Sequence, residues 1–118
     1  MKYMCLVYVE EAILNALSKT DRQTLSDESL AYYDELQKKG QCLAASPLYP
    51  VETAATVRVR NGKTSTTDGP FAETKEQLGG FFLLDVRDLN DALRVASMIP
   101  AARLGSIEVR PVKEGGCA

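Results

Sequence analysis

Residues 66–80 read TTDGPFAETKEQLGG, and this segment joins two parts of the chain whose composition is typical of β-strands. Before it, residues 56–60 alternate polar and apolar side chains, Asn61-Gly62 follows, and residues 63–67 form the return strand. Asn-Gly is a strong hairpin signal because both central positions of a type I′ turn need positive φ. After it, residues 80–86 are mostly apolar. The segment is therefore expected to connect a hairpin to a buried strand.

Residues 2–9, KYMCLVYV, form a second apolar run, which predicts another strand covered on both faces. Alternation along a strand sends one set of side chains to each face. The two sets are Met4, Leu6 and Tyr8, and Tyr3, Cys5, Val7 and Val9. Helices of a small single-sheet domain cover one face only, so the second apolar face indicates a further layer, which a partner subunit would supply.

Two helices are predicted between the strands. The first covers residues 21–39, with Thr20 and Gln23 at the capping-box spacing and Gly40 as its stop, and residues 11–17 form a short helical turn before it. Asp88 caps the second helix, which Pro100 ends. Its apolar stripe is predicted to be Leu89, Ala92, Leu93, Ala96 and Ile99.

The order of these elements predicts an α+β, ferredoxin-like fold, β-α-β-β-α-β, with an added hairpin. Residues 42–45 and 106–110 supply the remaining strands, and the last places Ser106, Glu108 and Arg110 on one face. Two such sheets meeting face to face would close a dimeric α/β barrel with clefts for ligands. We expect one domain over residues 1–112 and a flexible tail over 113–118, with Cys117 as an exposed thiol.

Composition narrows the function classes. The chain of 118 residues fits one domain, and its net charge of −2 without a basic cluster argues against nucleic acid as a partner. Its three cysteines share no short spacing, so neither a disulfide framework nor a zinc site is indicated. No apolar run reaches the length of a membrane span, and no signal peptide is recognised, which predicts a cytoplasmic protein.

Histidine is absent, so any acid–base chemistry falls to carboxylates, Lys, Tyr or Cys. Asp68 is the candidate catalytic residue, as a general base whose pKa would rise if Phe71 enclosed it; the alternative is a carboxylate that only orders the Gly69-Pro70 turn. The further candidate ligand contacts are Tyr8, Pro70, Phe71, Glu73, Lys75, Glu76, Arg103 and Arg110.

Three carboxylates lie close together in the central segment. If residues 71–78 form one or two helical turns, Glu73 and Glu76 share a face near Asp68, with Lys75 displaced around the axis. They could bind a divalent cation, one could keep its proton and act as an acid, or all could belong to a solvated turn. Their spacing matches no metal motif, so we assign neither a metal nor another cofactor.

The segment Asp68-Gly69-Pro70-Phe71, followed by residues 73–80, resembles the signature of the DGPF-domain branch of the YCII-related family. The similarity extends from residues 2–4 to residues 107–112. It implies a ferredoxin-like dimeric α+β barrel, and some members are found alongside extracytoplasmic-function sigma factors. Related YCII-type proteins have a proposed catalytic His–Asp pair, and a dehydrochlorinase belongs to that wider group, whereas this chain has no histidine.

Two functions follow as hypotheses. In the first, a homodimer binds a small molecule near the central segment, and Asp68 abstracts a proton while Lys75 or Arg110 holds an anionic group. In the second, the chain is a non-enzymatic interaction module associated with sigma-factor-type transcriptional regulation. An adjacent sigma-factor gene would favour the second hypothesis, and adjacent catabolic genes would favour the first.

Overall fold

The computed structural model describes residues 1–116, so the prediction for Cys117 lies outside the described residues. The elements in chain order are β1 (Lys2–Val9), α1 (Glu11–Ala16), α2 (Lys19–Lys38), β2 (Cys42–Pro47), β3 (Ala55–Arg60), β4 (Lys63–Asp68), β5 (Gln77–Asp85), α3 (Leu89–Ser97) and β6 (Ser106–Pro111). Short 3₁₀ turns at Val51–Thr53 and Pro100–Arg103 complete the connections.

Four strands form one antiparallel sheet in the order β2-β5-β1-β6. β1 is central and pairs with β5 on one side and with β6 on the other. The result is a mixed α+β fold with an antiparallel sheet and three helices in the described residues, which is consistent with the ferredoxin-like prediction. β3 and β4 form a separate two-stranded hairpin.

The helices cover one face of the four-stranded sheet. Alternate β1 residues enter the buried core there, which also contains residues of α2 and α3: Tyr3, Cys5, Val7, Val9, Leu36, Ala92 and Val95. The residues between them on β1 and β5 are only half-buried: Met4, Leu6, Tyr8, Phe81 and Leu83. We call this second side the open face. The predicted alternation of β1 is therefore confirmed by the burial of its side chains.

The β3–β4 hairpin has the predicted turn, since Asn61 and Gly62 have φ of 52° and 75°. It projects from the sheet, and Val57 and Val59 are 63% and 57% exposed. The radius of gyration is 15.9 Å, against about 13.5 Å for a compact domain of this length. The described residues are thus more extended than a compact domain, and the separate β3–β4 hairpin is consistent with this shape.

The first long helix begins earlier than predicted. Ser18, not Thr20, is its N-cap, because the Ser18 Oγ accepts a hydrogen bond from the Asp21 backbone N–H at 3.0 Å. Thr20 lies inside the first turn, where a side chain cannot take the cap position. Over residues 1–116, no helix combines the length and the apolar character that a bilayer span requires.

The buried face of α3 also differs from the predicted stripe. The Asp88 carboxylate accepts a hydrogen bond from the Asp91 backbone N–H at 2.9 Å, which confirms the predicted cap. Ala92, Ala96 and Ile99 are buried as predicted, but Leu89 and Leu93 are each 47% exposed, and Val95, outside the predicted stripe, is fully buried. Asp91 is also buried, and its ion pair with Arg94 at 2.8 Å compensates the cost of burying its charge.

Gly105 should tolerate no side chain. A Cβ built on it would lie 2.0 Å from the Tyr8 carbonyl oxygen, which is a backbone atom and cannot rotate away. We expect Gly105→Ala to lower the free energy of unfolding by about 1–3 kcal/mol through overpacking, measured by urea denaturation. Gly116→Ala is the control, because its nearest neighbour is a flexible Lys113 side chain at 3.8 Å. Equal stability of the two variants would contradict this packing.

Asp91 should make the stability depend on acid pH. The Arg94 hydrogen bond lowers the pKa of the Asp91 carboxyl against the opposing effect of burial, and the Arg87 backbone N–H acts with Arg94. A lowered folded pKa stabilises the fold above the unfolded pKa of about 3.9, and this contribution disappears as pH falls through the folded pKa. Asp91→Asn is therefore expected to reduce the free energy of unfolding more at pH 7 than at about pH 2.

The control is Asp34→Asn, because Asp34 is exposed on α2. Urea unfolding of both variants and of the unmodified chain at the two pH values measures the difference. A loss of stability in Asp91→Asn that is the same at both pH values would contradict a role for the ionised carboxylate.

Candidate functional site

A cleft of about 510 Å³ lies at one end of the open face. Three elements meet there: the end of β1, the start of β6 and the loop that precedes β5. Its lining residues are Tyr8, Thr74, Glu76, Ser106, Ile107 and Glu108. The antiparallel register places Tyr8 directly opposite Ser106. Pairing of the central strand β1 with the edge strand β6 therefore brings a phenol and a hydroxyl to one site.

Glu76 is one of the two carboxylates that line this cleft, and Glu108 is the other. The Ser106 Oγ donates a hydrogen bond to Glu76 Oε1 at 2.7 Å, across 30 residues of sequence. Glu76 is half-buried, and it immediately precedes β5, whose first residue Gln77 pairs with Val9. A carboxylate held by a hydroxyl beside a phenol can accept or donate a proton and can orient a polar ligand.

Arg110 lies on the same side of β6 as Glu108 and donates a hydrogen bond from its Nε to the Glu108 carboxylate. The pair is exposed, and Glu108 also lines the cleft. The guanidinium is therefore close to the cleft but already shares its charge with one carboxylate. The predicted Arg110 contact with an anion would have to compete with Glu108.

The central loop is anchored by its backbone to the start of β3. Gly69 has φ of 98°, its N–H donates to the Ala54 carbonyl at 2.7 Å, and its own carbonyl accepts from Thr56 Oγ1 at 2.9 Å. This agrees with a Gly that takes a backbone conformation L-residues rarely adopt. The anchor fixes where the loop leaves the hairpin.

The conditional prediction of helical turns over residues 71–78 is wrong. The loop is irregular as far as Gln77, where β5 begins, and Gly79 lies within that strand. The Gln77 amide donates to the carbonyls of Ala72 and Thr74, both at 3.1 Å. In a helix these carbonyls would accept hydrogen bonds from backbone N–H groups. Here the Gln77 side-chain amide donates to them instead, while the Gln77 backbone pairs with β1.

Most of the predicted loop residues do not line the cleft. Asp68, Phe71, Glu73 and Lys75 are exposed, Phe71 by 79%, and Pro70 is half-buried. Over residues 1–116, no group of three His, Cys, Asp or Glu side chains is arranged to hold a metal ion. The structure thus brings together Tyr8 and Glu76 in one cleft, but not the three carboxylates of the loop, and Arg110 reaches the cleft only through its bond to Glu108.

Arg103 belongs to another part of the molecule. Its guanidinium donates to both carboxylate oxygens of Glu28 on α2, at 3.1 Å each. The pair lies between the 3₁₀ turn at Pro100–Arg103 and α2, and Arg103 does not line the cleft. This contact gives Arg103 a structural partner on the helix side of the sheet.

The two cysteines within residues 1–116 offer no reactive thiolate to the site. Cys5 and Cys42 are free and buried in the core. Burial raises the pKa of the Cys5 thiol to about 11, with a smaller effect from Cys42, and burial also raises the pKa of Cys42. At neutral pH both remain protonated, and a protonated thiol is a poor nucleophile.

Sequence reasoning missed Ser106 and Thr74 as members of the cleft. The alternation of β6 did place Ser106, Glu108 and Arg110 on one face, and that pattern was the signal available. It could not identify Glu76 as the partner of Ser106, since their contact depends on how β1 aligns with β5 and β6.

Comparison with known proteins agrees with this architecture. An uncharacterized protein of Rhizobium meliloti (strain 1021) is 39% identical over 114 residues, which cover 95% of this chain and 92% of the relative. Among solved structures, 5-chloro-2-hydroxyhydroquinone dehydrochlorinase from Burkholderia phenoliruptrix AC1100, in complex with 2,5-dihydroxybenzoquinone, aligns with a TM-score of 0.57. That alignment covers 98% of this chain and 96% of the other, at 16% identity, and it concerns the fold.

The family model of the YCII-related domain matches residues 1–115, nearly the whole chain. Together with the sheet order and the extended similarity to the Rhizobium protein, this match identifies the family. The chain belongs to the YCII-related domain family.

Proposed function

We propose that the protein is a homodimeric domain that binds a small molecule in the open-face cleft, where Glu76 acts as the acid–base group. The observation that carries this proposal is the half-buried Glu76 carboxylate, fixed by Ser106 at 2.7 Å and facing the same cleft as Tyr8. The dehydrochlorinase with a similar fold binds 2,5-dihydroxybenzoquinone, which supports a small, polar ring compound as the probe.

The chemistry follows from the groups present. In a chain without histidine, a carboxylate is the available base, and Glu76 would take a proton from a bound ligand while the electron pair stays on the ligand. Tyr8 lines the same cleft, and its hydroxyl would donate a hydrogen bond to the resulting anion, while the positive charge of Arg110 lies farther along β6, bonded to Glu108. No co-reactant is needed for this proton transfer.

Asp68 remains the second carboxylate of the proposal. It ends β4 and is followed directly by Gly69-Pro70, so it begins the loop that carries Glu76. Its exposed side chain lies outside the cleft lining of the single chain. If it acts as the base with Lys75, its removal must abolish ligand binding without changing the fold.

The dimer is proposed from the open face. Met4, Leu6, Phe81 and Leu83 are only half-buried there, while the helices pack on the opposite face. A sheet with two apolar faces is stable when both are covered, and a second copy of the same sheet would supply the missing layer. Closing an α/β barrel in this way would also enclose the Tyr8–Glu76 cleft.

A second candidate function is an interaction module, including the predicted association with a sigma factor. The exposed hairpin favours it, because Val57 and Val59 project apolar side chains into solvent. A pull-down with the intact chain and with Val57→Ser separates the two functions. A transcription factor recovered only by the intact chain would favour this candidate over the enzyme.

The open face should control dimerisation. We expect Leu6→Lys to shift the protein from dimer to monomer, because it places a charge at the centre of the proposed apolar interface. The control is Leu30→Lys, since Leu30 is 61% exposed on α2. Sedimentation equilibrium measures both. Loss of the dimer in Leu30→Lys, or an intact dimer in Leu6→Lys, would contradict the proposed interface.

The cleft carboxylate should control ligand affinity. We expect Glu76→Gln to weaken binding of hydroquinone, whose hydroxyl groups stay protonated at neutral pH and can donate to the carboxylate, by about tenfold or more, as the loss of a charged hydrogen bond predicts. Isothermal titration calorimetry measures the affinity, and circular dichroism checks the fold. Glu114→Gln is the control, because Glu114 is exposed near the end of the described chain.

Asp68→Asn is titrated in parallel. Loss of binding in Asp68→Asn, with Glu76→Gln unaffected, would transfer the acid–base role to Asp68 and overturn the assignment to Glu76. Unchanged affinity in both variants would exclude the carboxylate chemistry of this site altogether.

A further inference from the structure

A second cavity, of about 270 Å³, lies on the helix side of the sheet at the same end as the cleft. It is bounded by α1, by residues 48–52 and by the start of β5. Its lining includes the apolar residues Val9, Leu14 and Leu48 beside polar and charged ones. This volume is below the range usual for drug-sized ligands, so an occupant must be a small molecule.

An irregularity in β5 forms one wall of the cavity. Val7 pairs with Gly80 whereas Tyr8 pairs with Leu78, so Gly79 is an extra residue and forms a bulge. The Gly79 carbonyl turns out of the β1 ladder and accepts a hydrogen bond from the Leu48 N–H at 2.8 Å. Bulges occur often beside binding sites because they redirect the strand and its side chains.

The opposite wall is held by a hydrogen bond that a side chain accepts from the backbone. Glu11 Oε2 accepts from the Val51 backbone N–H at 2.8 Å, which ties the 3₁₀ turn Val51–Thr53 to α1. Together with the Leu48–Gly79 bond, it fixes both ends of the connector that closes the cavity. The cavity is therefore formed before any ligand binds, which reduces the entropic cost of binding.

The rim carries charges of both signs. Arg22 and Glu52 both line the cavity, and over residues 1–116 neither forms an ion pair. Glu11 adds a second negative charge, although one of its oxygens is already bonded to Val51. A simple anion would face two glutamates, and a simple cation would face the guanidinium. A molecule with both charges matches the rim best.

We propose that this cavity binds a small zwitterion with an apolar body, namely an α-amino acid with an aliphatic side chain. Its carboxylate pairs with the planar guanidinium of Arg22, its ammonium group pairs with Glu52, and its side chain lies on Val9, Leu14 and Leu48. The site is on the opposite face of the sheet from Tyr8 and Glu76, so it does not rest on the function proposed above.

Three probes with one apolar body and different charges test this inference: leucine, 4-methylpentanoate and 3-methylbutylamine. Isothermal titration calorimetry on the full chain should give leucine an affinity about tenfold or more above either analogue, since each analogue loses one charged contact. Equal affinities for all three probes would overturn the proposal. No leucine binding up to about 10 mM would also overturn it, because this concentration exceeds the Kd expected for such contacts.

Variants assign the contacts. Arg22→Gln should remove the preference for leucine over 3-methylbutylamine, because the leucine carboxylate loses its partner. Glu52→Gln should remove the preference for leucine over 4-methylpentanoate, because the ammonium group loses its partner. Arg58→Gln is the matched control, because Arg58 is exposed on the hairpin and lines neither cavity. Leucine binding that responds to Arg58→Gln as strongly as to Arg22→Gln, or that is lost in Glu76→Gln instead, would overturn the site.

Discussion

The position of β1 between β5 and β6 is the constraint on which both candidate sites depend. Its backbone is hydrogen-bonded along both edges, so the register of each neighbour is set relative to one strand. Because side chains alternate along β1, Val9 faces the helices and the adjacent Tyr8 faces the opposite side. A single strand end thereby contributes to two sites on opposite faces of the sheet.

Close backbone packing holds this strand end in place. Gly105 leaves no room for a Cβ beside the Tyr8 carbonyl, and the register brings Ser106 opposite Tyr8. On the other edge, the bulge at Gly79 changes the pairing between Val7 and Tyr8. Both the cleft and the second cavity lie at this end of the sheet, where the bulge interrupts the regular pairing of β1 with β5.

The proposed function depends on a second copy of the chain, because one face of the sheet is left uncovered in the single chain. Half-buried apolar residues on β1 and β5 contrast with the fully buried set on the helix side, such as Cys5 and Leu84. The cleft containing Glu76 opens on the uncovered side. Ligand binding and assembly are therefore coupled in the proposal, because the layer that covers the apolar face also excludes water from the carboxylate.

The sequence by itself determined the local elements. The apolar run of β1, the Asn61-Gly62 turn and the Asp88 cap each follow from alternation or backbone preference within a few residues, and each is confirmed. Of the stripe predicted for α3, Ala92, Ala96 and Ile99 are buried, but Leu89 and Leu93 are exposed, and the burial of Asp91 with its Arg94 partner was not visible in the apolar pattern. Only the tertiary structure decided which polar groups meet: Ser106 contacts Glu76 from 30 residues away because strand register, which no local pattern specifies, joins them.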